Sequence, residues 1–349
     1  MSIRIGSKVV GDGNAIYVVA EMAWAHDGAM DKAVRIIDAA ASAGADCINL
    51  HVTCVDAYIT RDYGALPGQT GGGYAFLKER EFLSQQWRQI VEHARGRGLA
   101  VSTMCNDFPS LALATSSLAP DLLMIHPSCI GDLDFVRAVA GHGRPVLLYV
   151  GALSIAEIER AIDACTTAGN DRLLLQHGFQ SYPTPVEENN LFRIRTLKAL
   201  FGFPVAFGDH TDGGDPLALT VPLLSIGMGV NLIEKHITWD RAARGTDYQA
   251  ALDPANFTEF VRQLRECEKA LGSGAWQPLS VREQDYRKIV RKRAVLATPL
   301  DRGAVLTGDK LIYKRANAGL YPEDISMVLG RRARRAMESD QPIVREDFD

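Results

Sequence analysis

Residues 47–51 read CINLH, a mostly apolar run that ends in a histidine, and four later runs have the same form. These runs are LLMIH (122–126), LLLQH (173–177), PVAFGDH (204–210) and NLIEKH (231–236). A short apolar run predicts a buried strand, and helical stretches separate these runs. Alternating strands and helices predict a parallel sheet whose strands share one carboxyl edge. We therefore expect five of the eight histidines to meet at one mouth; they are His51, His126, His177, His210 and His236.

Eight strand–helix units can be counted along the chain. The predicted strands are residues 16–21, 47–52, 99–104, 122–126, 145–150, 172–176, 205–208 and 231–236. Between them, stretches such as SIAEIERAIDACTTAG (154–169) have apolar residues at helical spacing and a terminal glycine. Eight parallel units predict a closed (β/α)8 TIM barrel. A doubly wound open sheet is the alternative, but the turn EMAWAHDG (21–28) after the first strand lacks its glycine-rich phosphate loop.

The sequence changes in character after Gly272. Short β-type runs there alternate with turn signals such as DRG, TGD and ESDQP, which predicts a small β-rich domain. The predicted organisation is a catalytic barrel over 1–275, a linker over 276–290 and a second domain over 291–349. Within the barrel, the connection from 55 to 78 is long enough to predict a lid or binding loop.

Composition excludes several classes of protein. The formal net charge of −4 gives no electrostatic reason to expect a nucleic-acid partner. No apolar run approaches the roughly 20 residues of a membrane span, and MSIRIGSKVVGDG does not resemble a signal peptide. We expect a cytoplasmic protein without a membrane partner, whose six cysteines, with no CxxC pair, are reduced thiols.

Two histidines at neighbouring strand ends predict a divalent metal site. His210 and His236 end the seventh and eighth strands, and two imidazoles with open coordination positions suit a cation that polarises a carbonyl. The alternative is that each histidine binds no metal and only makes hydrogen bonds that hold neighbouring residues in place. Glu21 ends the first strand, and Glu234 shares the face of His236, so both are candidate catalytic carboxylates. Lys235 should point toward the helices, which argues against a Schiff-base lysine.

Five segments carry recognisable motifs. They are AEMAWAHDG (20–28), QSYPTPVEENNLFRIRTLK (180–198), GFPVAFGDHT (202–211), VNLIEKHITWDRAARGTDYQAAL (230–252) and YKRANAGL (313–320). The first four resemble barrel motifs of the sialic acid synthase family, among them its AEIGxNHNG, SDHT and EKH segments. The fifth is similar to the KRPGxGI stretch of that family's C-terminal antifreeze-like (SAF) domain. The chain is identified as a diverged member of the family over nearly its whole length.

The resemblance implies a reaction and residues that perform it. The family condenses phosphoenolpyruvate with the open-chain aldehyde of an N-acylated amino sugar, giving a nonulosonic acid and phosphate. By resemblance, His210 and His236 bind the divalent metal, Mn2+ or Mg2+, and Glu21 is the carboxylate that handles protons. Tyr182 and Asp247 match positions that hold the sugar. Arg315 of the partner subunit matches another such position, which implies a domain-swapped homodimer.

The phosphoenolpyruvate side departs from the family pattern. The family's K-F-Q is NLH (49–51) here and its K-I-P-S is represented by MIHPS (124–128), so both lysines are absent. S-T-G becomes YVG (149–151), S-D-H becomes GDH (208–210), and Gln180 or Ser181 precedes the YP pair. The donor-side candidates are Asn49, His51, His126, His177, Gln180 and Asp209. Because a trianion needs cations and imidazoles are mostly neutral at pH 7, we expect weak phosphoenolpyruvate binding that acid favours.

Three functions remain open on the sequence alone. The first is a nonulosonate synthase whose phosphoenolpyruvate pocket is rebuilt with histidines. The second keeps the metal and the sugar side but performs another aldol, retro-aldol or isomerisation step, with His51 and His126 as general bases or metal ligands. The third is a barrel without activity that serves binding or dimerisation, against which the retained Glu21, His210, Glu234 and His236 argue.

Overall fold

Eight parallel strands close into a barrel in the computed structural model, which describes residues 1–64, 73–178, 181–272 and 274–349. The chain divides into two compact units, Met1–Ser273 and Gly274–Asp349. The strands of the first unit are β1 (Ser2–Ile5), β2 (Lys8–Gly11), β3 (Tyr17–Glu21), β4 (Cys47–Val52), β5 (Ala100–Cys105), β6 (Leu122–Ile125), β7 (Val146–Tyr149), β8 (Leu173–His177), β9 (Val205–Asp209) and β10 (Leu232–His236).

Helices follow the barrel strands, as the alternation in the sequence predicts. They are α1 (Met30–Ala43), α2 (Val55–Tyr58), α3 (Gly73–Lys78), α4 (Ser84–Gly96), α5 (Phe108–Leu113), α6 (Pro127–Ile130), α7 (Leu133–Gly141), α8 (Ile155–Thr167), α9 (Arg193–Phe201), α10 (Thr220–Ile226) and α11 (Pro254–Leu271). Each predicted barrel strand ends within one residue of the observed one. The predicted TIM barrel is confirmed.

Local signals explain where the helices begin and end. Before α8, the Ser154 hydroxyl caps the backbone N–H of Glu157, and the Glu157 carboxylate accepts from the backbone N–H of Ser154 at 2.7 Å. The α1 helix ends at Gly44, whose φ of 85° is easily adopted only by a residue without a Cβ. These caps define connections that return the chain to the next strand.

The barrel closes between its first and last strands. β10 pairs in parallel with both β3 and β9, and His236 lies opposite Glu21 in the register with β3. Glu234 lies opposite Gly208 of β9. The carboxyl end of β3 therefore meets those of β9 and β10, which lie some two hundred residues later in the sequence, at one point of the rim.

An N-terminal hairpin that the sequence analysis did not predict lies at the other end of the barrel. β1 and β2 are antiparallel, and their buried Ile3, Ile5 and Val10 cluster with Tyr17 and Leu122, the first residues of β3 and β6. Each hairpin strand has only four residues, too few for a clear alternating pattern. The hairpin therefore covers the amino end of the barrel, opposite the carboxyl end at which the cavity opens.

The second unit has its own small core. It contains α12 (Val281–Val290) and an antiparallel pair, β11 (Lys292–Leu296) and β12 (Leu311–Arg315). Its buried side chains include Ala294, Leu296, Leu300, Leu306 and Ile343. The segment predicted as a linker contains α12, which buries none of its side chains.

No helix within the described ranges has the length and apolar character to span a membrane.

Candidate active site

A cavity of about 680 Å3 opens at the carboxyl ends of the barrel strands. Eight of the residues singled out in the sequence line it: Glu21, His51, His126, Tyr182, His210, Glu234, His236 and Asp247. The parallel register explains this convergence, because every strand presents its last inward-facing residue at the same rim. Four of the five strand-end histidines therefore meet, as expected.

His210 and His236 form the closest pair of imidazoles in this group. Their ring centroids are 5.0 Å apart, and the Tyr182 ring lies 5.9 Å from the first and 6.0 Å from the second. His210 Nδ1 lies 3.1 Å from the carbonyl oxygens of Gly178 and Gly208. A proton on Nδ1 would be donated to these carbonyls and would leave the lone pair on Nε2.

Electrostatics keep this histidine pair in the form that binds metals. Burial lowers the pKa of His210 and lowers the pKa of His236 well below its usual range, so both rings are neutral near pH 7. Two neutral imidazoles facing a cavity fit a divalent cation. In the described part of the chain no group of three or more His, Cys, Asp or Glu side chains has a geometry that could hold a metal ion. The other coordination positions would therefore be left to substrate or water.

Glu21 is a buried carboxylate held by several donors. One oxygen accepts from the backbone N–H of Ala23 at 2.6 Å and lies 3.6 Å from His51 Nε2, and the other accepts from the Asn49 amide. Burial opposes ionisation, but His51 and the Asn49 hydrogen bond lower the pKa of Glu21 to about 2. Glu21 is therefore an oriented anion next to the histidine pair.

Glu234 has the opposite character. Burial and the nearby charge of Glu21 raise the pKa of Glu234 well above its usual range. The Tyr149 hydroxyl and the Gln176 amide contact its two oxygens, the amide at 2.9 Å. A Cβ at Gly208 would lie within contact of the Gln176 side-chain nitrogen, so a larger residue there would require Gln176 to shift away from Glu234. The sequence analysis did not identify Tyr149 and Gln176 as partners of Glu234.

Lys235 and Asp209 lie outside the cavity lining and bind each other. The Lys235 ammonium donates to Asp209 at 2.6 Å, and both side chains are fully buried. The expected alternation along β10 is confirmed, because Glu234 and His236 line the cavity and Lys235 does not. The structure corrects the expectation that Asp209 binds substrate directly. Its other oxygen accepts from the backbone N–H and hydroxyl of Thr211, so its role is to position the turn after β9.

Two further donor-side candidates also lie outside the lining. Asn49 is fully buried, and its amide connects Glu21 with the hydroxyl of Ser102, so it supports the carboxylate from below. His177 is buried and its Nε2 lies 2.7 Å from the carbonyl oxygen of Asn189, because strand alternation turns it away from the interior that Gln176 faces. Gln180 lies outside the described residues.

His126 lines the cavity but does not supply a positive charge. Its Nδ1 lies 2.8 Å from the Ser128 hydroxyl and accepts from the backbone N–H of Ser128 at 3.3 Å. Desolvation, with the positive charges that His51 and His210 would carry, lowers the pKa of His126 to about 3. His126 therefore stays neutral between pH 5 and 8. The lowered pKa of His126 argues against a contribution from this residue to acid-favoured phosphate binding, which stays a prediction.

The cavity rim contains residues that the sequence did not single out. Tyr58, Tyr63 and Phe76 come from the long connection between β4 and α4, whose residues 65–72 lie outside the described ranges. The predicted binding loop thus contributes aromatic side chains to the site. Trp24, Asp27, Arg80, Arg244 and Thr246 also line the cavity. Trp24, Asp27, Arg244 and Thr246 lie within motifs quoted above, so they could have been named, whereas Arg80 lies outside them.

Asp247 is held at the mouth by its neighbours. Its carboxylate accepts from the backbone N–H of Trp24 at 3.1 Å, and its carbonyl oxygen accepts from the Tyr182 hydroxyl at 2.8 Å. Burial raises the pKa of Asp247 to about 6. Tyr182 and Asp247 therefore form one wall that leads away from the histidine pair.

Arg315 belongs to the second unit, at the end of β12, and its side chain is exposed. It lies opposite Lys292 in the β11–β12 register. Its predicted contribution to the site of a partner subunit remains a prediction.

Comparisons with known proteins cover nearly the whole chain. The model of the NeuB family matches residues 36–275, and that of the SAF domain matches residues 291–349. The N,N'-diacetyllegionaminic acid synthase of Legionella pneumophila is 29% identical, over 94% of this chain and 93% of its own. The human N-acetylneuraminate-9-phosphate synthase is 26% identical, over 97% and 94%. The crystal structure of the N-acetylneuraminic acid synthetase of Leptospira borgpetersenii, in complex with citrate, is 27% identical, covers 83% of this chain and 97% of its own, and has a TM-score of 0.73.

Proposed function

Because the chain belongs to the NeuB family of sugar-acid synthases, we propose that it condenses phosphoenolpyruvate with the open-chain aldehyde of an N-acylated amino sugar. The carbon–carbon bond forms between the enol carbon and the aldehyde carbon, water enters, and a nonulosonic acid and phosphate leave. The observation that carries this proposal is the pair of neutral imidazoles, His210 and His236, facing one cavity beside the carboxylate of Glu21.

His210 and His236 would hold a divalent cation, Mn2+ or Mg2+. When bound, this cation would polarise the aldehyde carbonyl. Tyr182 and Asp247 would orient the sugar hydroxyls, since Tyr182 borders the histidine pair and its hydroxyl donates to the Asp247 carbonyl oxygen. Glu21 would orient the attacking groups and accept a proton, because it is ionised and already fixed by the Ala23 backbone.

The residues that would bind phosphoenolpyruvate favour a low affinity for this donor. No lysine lines the cavity among the described residues, and the permanent cations of the lining are Arg80 and Arg244. His126 offers a neutral ring. A trianionic donor would therefore meet few compensating charges, and its affinity should be low.

We expect slow phosphate release from phosphoenolpyruvate and N-acetylmannosamine in the presence of Mn2+, with a KM for phosphoenolpyruvate well above micromolar from pH 6 to pH 8. Chelation with EDTA should abolish the activity. His51→Gln should not lower this KM, because a neutral side chain cannot replace a missing cation. A steady-state phosphate assay measures the KM of the natural protein, the effect of EDTA and the KM of the His51→Gln protein. Saturation at micromolar phosphoenolpyruvate would show that the donor pocket binds phosphate tightly and would refute the expected weak affinity.

The lack of lysine among the described lining residues favours a second candidate function, a metal-dependent aldol, retro-aldol or isomerisation step on a specialised sugar without phosphoenolpyruvate. That chemistry would use the same groups, namely the histidine pair, Glu21 and the wall formed by Tyr182 and Asp247. Calorimetry of phosphoenolpyruvate binding with Mn2+ separates the two. Binding supports the first function, and no heat together with no phosphate release supports the second.

We also propose that the active form is a homodimer in which Arg315 of the partner subunit completes the sugar site. Glu21→Ala and Arg315→Ala proteins should each be nearly inactive. After subunit exchange, mixed dimers contain one site with both natural residues, so part of the activity should return. Each variant taken alone through the same exchange procedure is the control. A mixture no more active than these controls would contradict a site formed by residues of both subunits.

A further inference from the structure

Arg80 is held rigidly in the cavity wall. It follows α3, and its Nε donates to the Thr246 hydroxyl at 2.9 Å while one terminal nitrogen donates to the Phe76 carbonyl oxygen at 2.8 Å. The guanidinium lies 3.7 Å from the centre of the Phe76 ring. Its side chain is 16% exposed. These contacts orient the planar group before any ligand arrives.

The charge of Arg80 lacks a buried counter-ion. Within the described ranges its ion-pair partner is Glu79, at 3.5 Å, and the Glu79 side chain is 76% exposed to solvent. Asp27, the cavity carboxylate linked to Arg80 through the Thr246 hydroxyl, already accepts from Thr246 at 2.7 Å and from Lys32 at 2.8 Å. A fixed guanidinium in a cavity with only a solvated partner favours an acidic ligand, which it can bind through two hydrogen bonds.

The position of Arg80 indicates which part of a substrate it would meet. A continuous series of neighbours leads from His236 to Tyr182, from the Tyr182 hydroxyl to Asp247, and through the adjacent Thr246 to Arg80. If the aldehyde lies at the histidine pair, as the proposed function requires, the opposite end of an open-chain sugar points along this wall. The donor candidate His51 adjoins this series, since its ring lies 6.0 Å from that of Trp24, whose backbone N–H donates to Asp247.

We propose that Arg80 binds an acidic substituent, phosphate or carboxylate, at the end of the acceptor sugar that is remote from the aldehyde. This rests on the proposed function for the placement of the aldehyde. Arg80 is then a specificity-determining residue, and the natural acceptor is an acidic sugar. The class of reaction that supplies it is a phosphorylation or an oxidation of the terminal hydroxyl of an N-acylated amino sugar.

Calorimetry in the presence of Mn2+ tests the proposal with three probes: N-acetylmannosamine, its 6-phosphate and N-acetylmannosaminuronic acid. The natural protein should bind at least one acidic probe about tenfold or more tightly than the neutral sugar, and the two acidic probes distinguish phosphate from carboxylate. Arg80→Met should remove this preference without changing the affinity for the neutral sugar. Arg80→Lys should keep part of it, because lysine retains the charge but not the planar fork. Arg97→Met, which removes an exposed arginine paired with Asp38 outside the cavity lining, is the matched control.

Equal binding of the three probes, or no binding of any, would overturn the proposal. So would an Arg80→Met protein that keeps the natural preference, or one that loses affinity for phosphoenolpyruvate and not for the acidic sugar. The binding preference needs no turnover, whereas the proposed function is tested by phosphate release with the natural protein. The two can therefore fail separately.

Discussion

His210→Ala and His236→Ala should each lower turnover by about 10²–10³-fold and remove the bound divalent metal. A catalytic cation supplies several kcal/mol of charge stabilisation, and each 1.4 kcal/mol corresponds to about tenfold in rate. In the proposed site the two imidazoles are the protein ligands among the described residues, so loss of either would leave one. Metal content by elemental analysis and turnover with added Mn2+ measure the two effects.

His93→Ala is the matched control for this experiment. His93 lies on α4, pairs with Asp38 at 2.9 Å and does not line the cavity. Its removal should leave metal content and turnover unchanged. If both His210→Ala and His236→Ala retain the natural metal stoichiometry, the metal site is elsewhere and the proposed role of the pair is refuted.

Lys235→Met should lower the free energy of unfolding by about 3–5 kcal/mol, the usual cost of removing one partner from a buried ion pair. Methionine matches the length of the lysine stem but leaves the Asp209 carboxylate without its cation. Both side chains are fully buried, so water cannot replace the lost partner. Urea unfolding followed by circular dichroism measures the change.

The double variant Lys235→Met, Asp209→Asn provides the control. It removes both charges while the amide can still accept from Thr211, so part of the lost stability should return. Lys8→Met should cost far less, because the buried Asp46 carboxylate would keep Arg265 at 3.1 Å and the backbone N–H of Val18 at 2.7 Å. A Lys235→Met protein as stable as the natural one would show that the pair contributes nothing to the barrel.

Much of the barrel could be predicted from the sequence because its signals are local. Runs such as LLLQH mark buried strands through consecutive apolar residues, and caps such as Ser154 and Gly44 mark helix ends. The hairpin of β1 and β2 was missed because its strands are short and its burial depends on the barrel floor. The contact between the hairpin and the barrel joins residues that are distant in sequence, so no local pattern predicts it.

The site was predicted in part. Strand ends and alternation indicated that Glu21, Glu234 and His236 share one mouth, since parallel strands end together. The alternation of side chains along β4 places Asn49 inside the barrel, but it does not show that Asn49 is fully buried beneath Glu21 and does not line the cavity. The predicted ligand Asp209 instead binds Lys235 behind the sheet.

The sequence by itself determined the class of fold, the family and the pair of histidines, because strand order and residue spacing are properties of the chain. Only the tertiary structure decided the chemical state of each group. The neutral form of His126, the ionised form of Glu21 and the raised pKa of Glu234 come from burial and from neighbours distant in sequence. The same is true of Arg80, which enters the cavity wall through contacts with Phe76 and Thr246. Desolvation and charge depend on which atoms surround a side chain, and folding alone brings those atoms together.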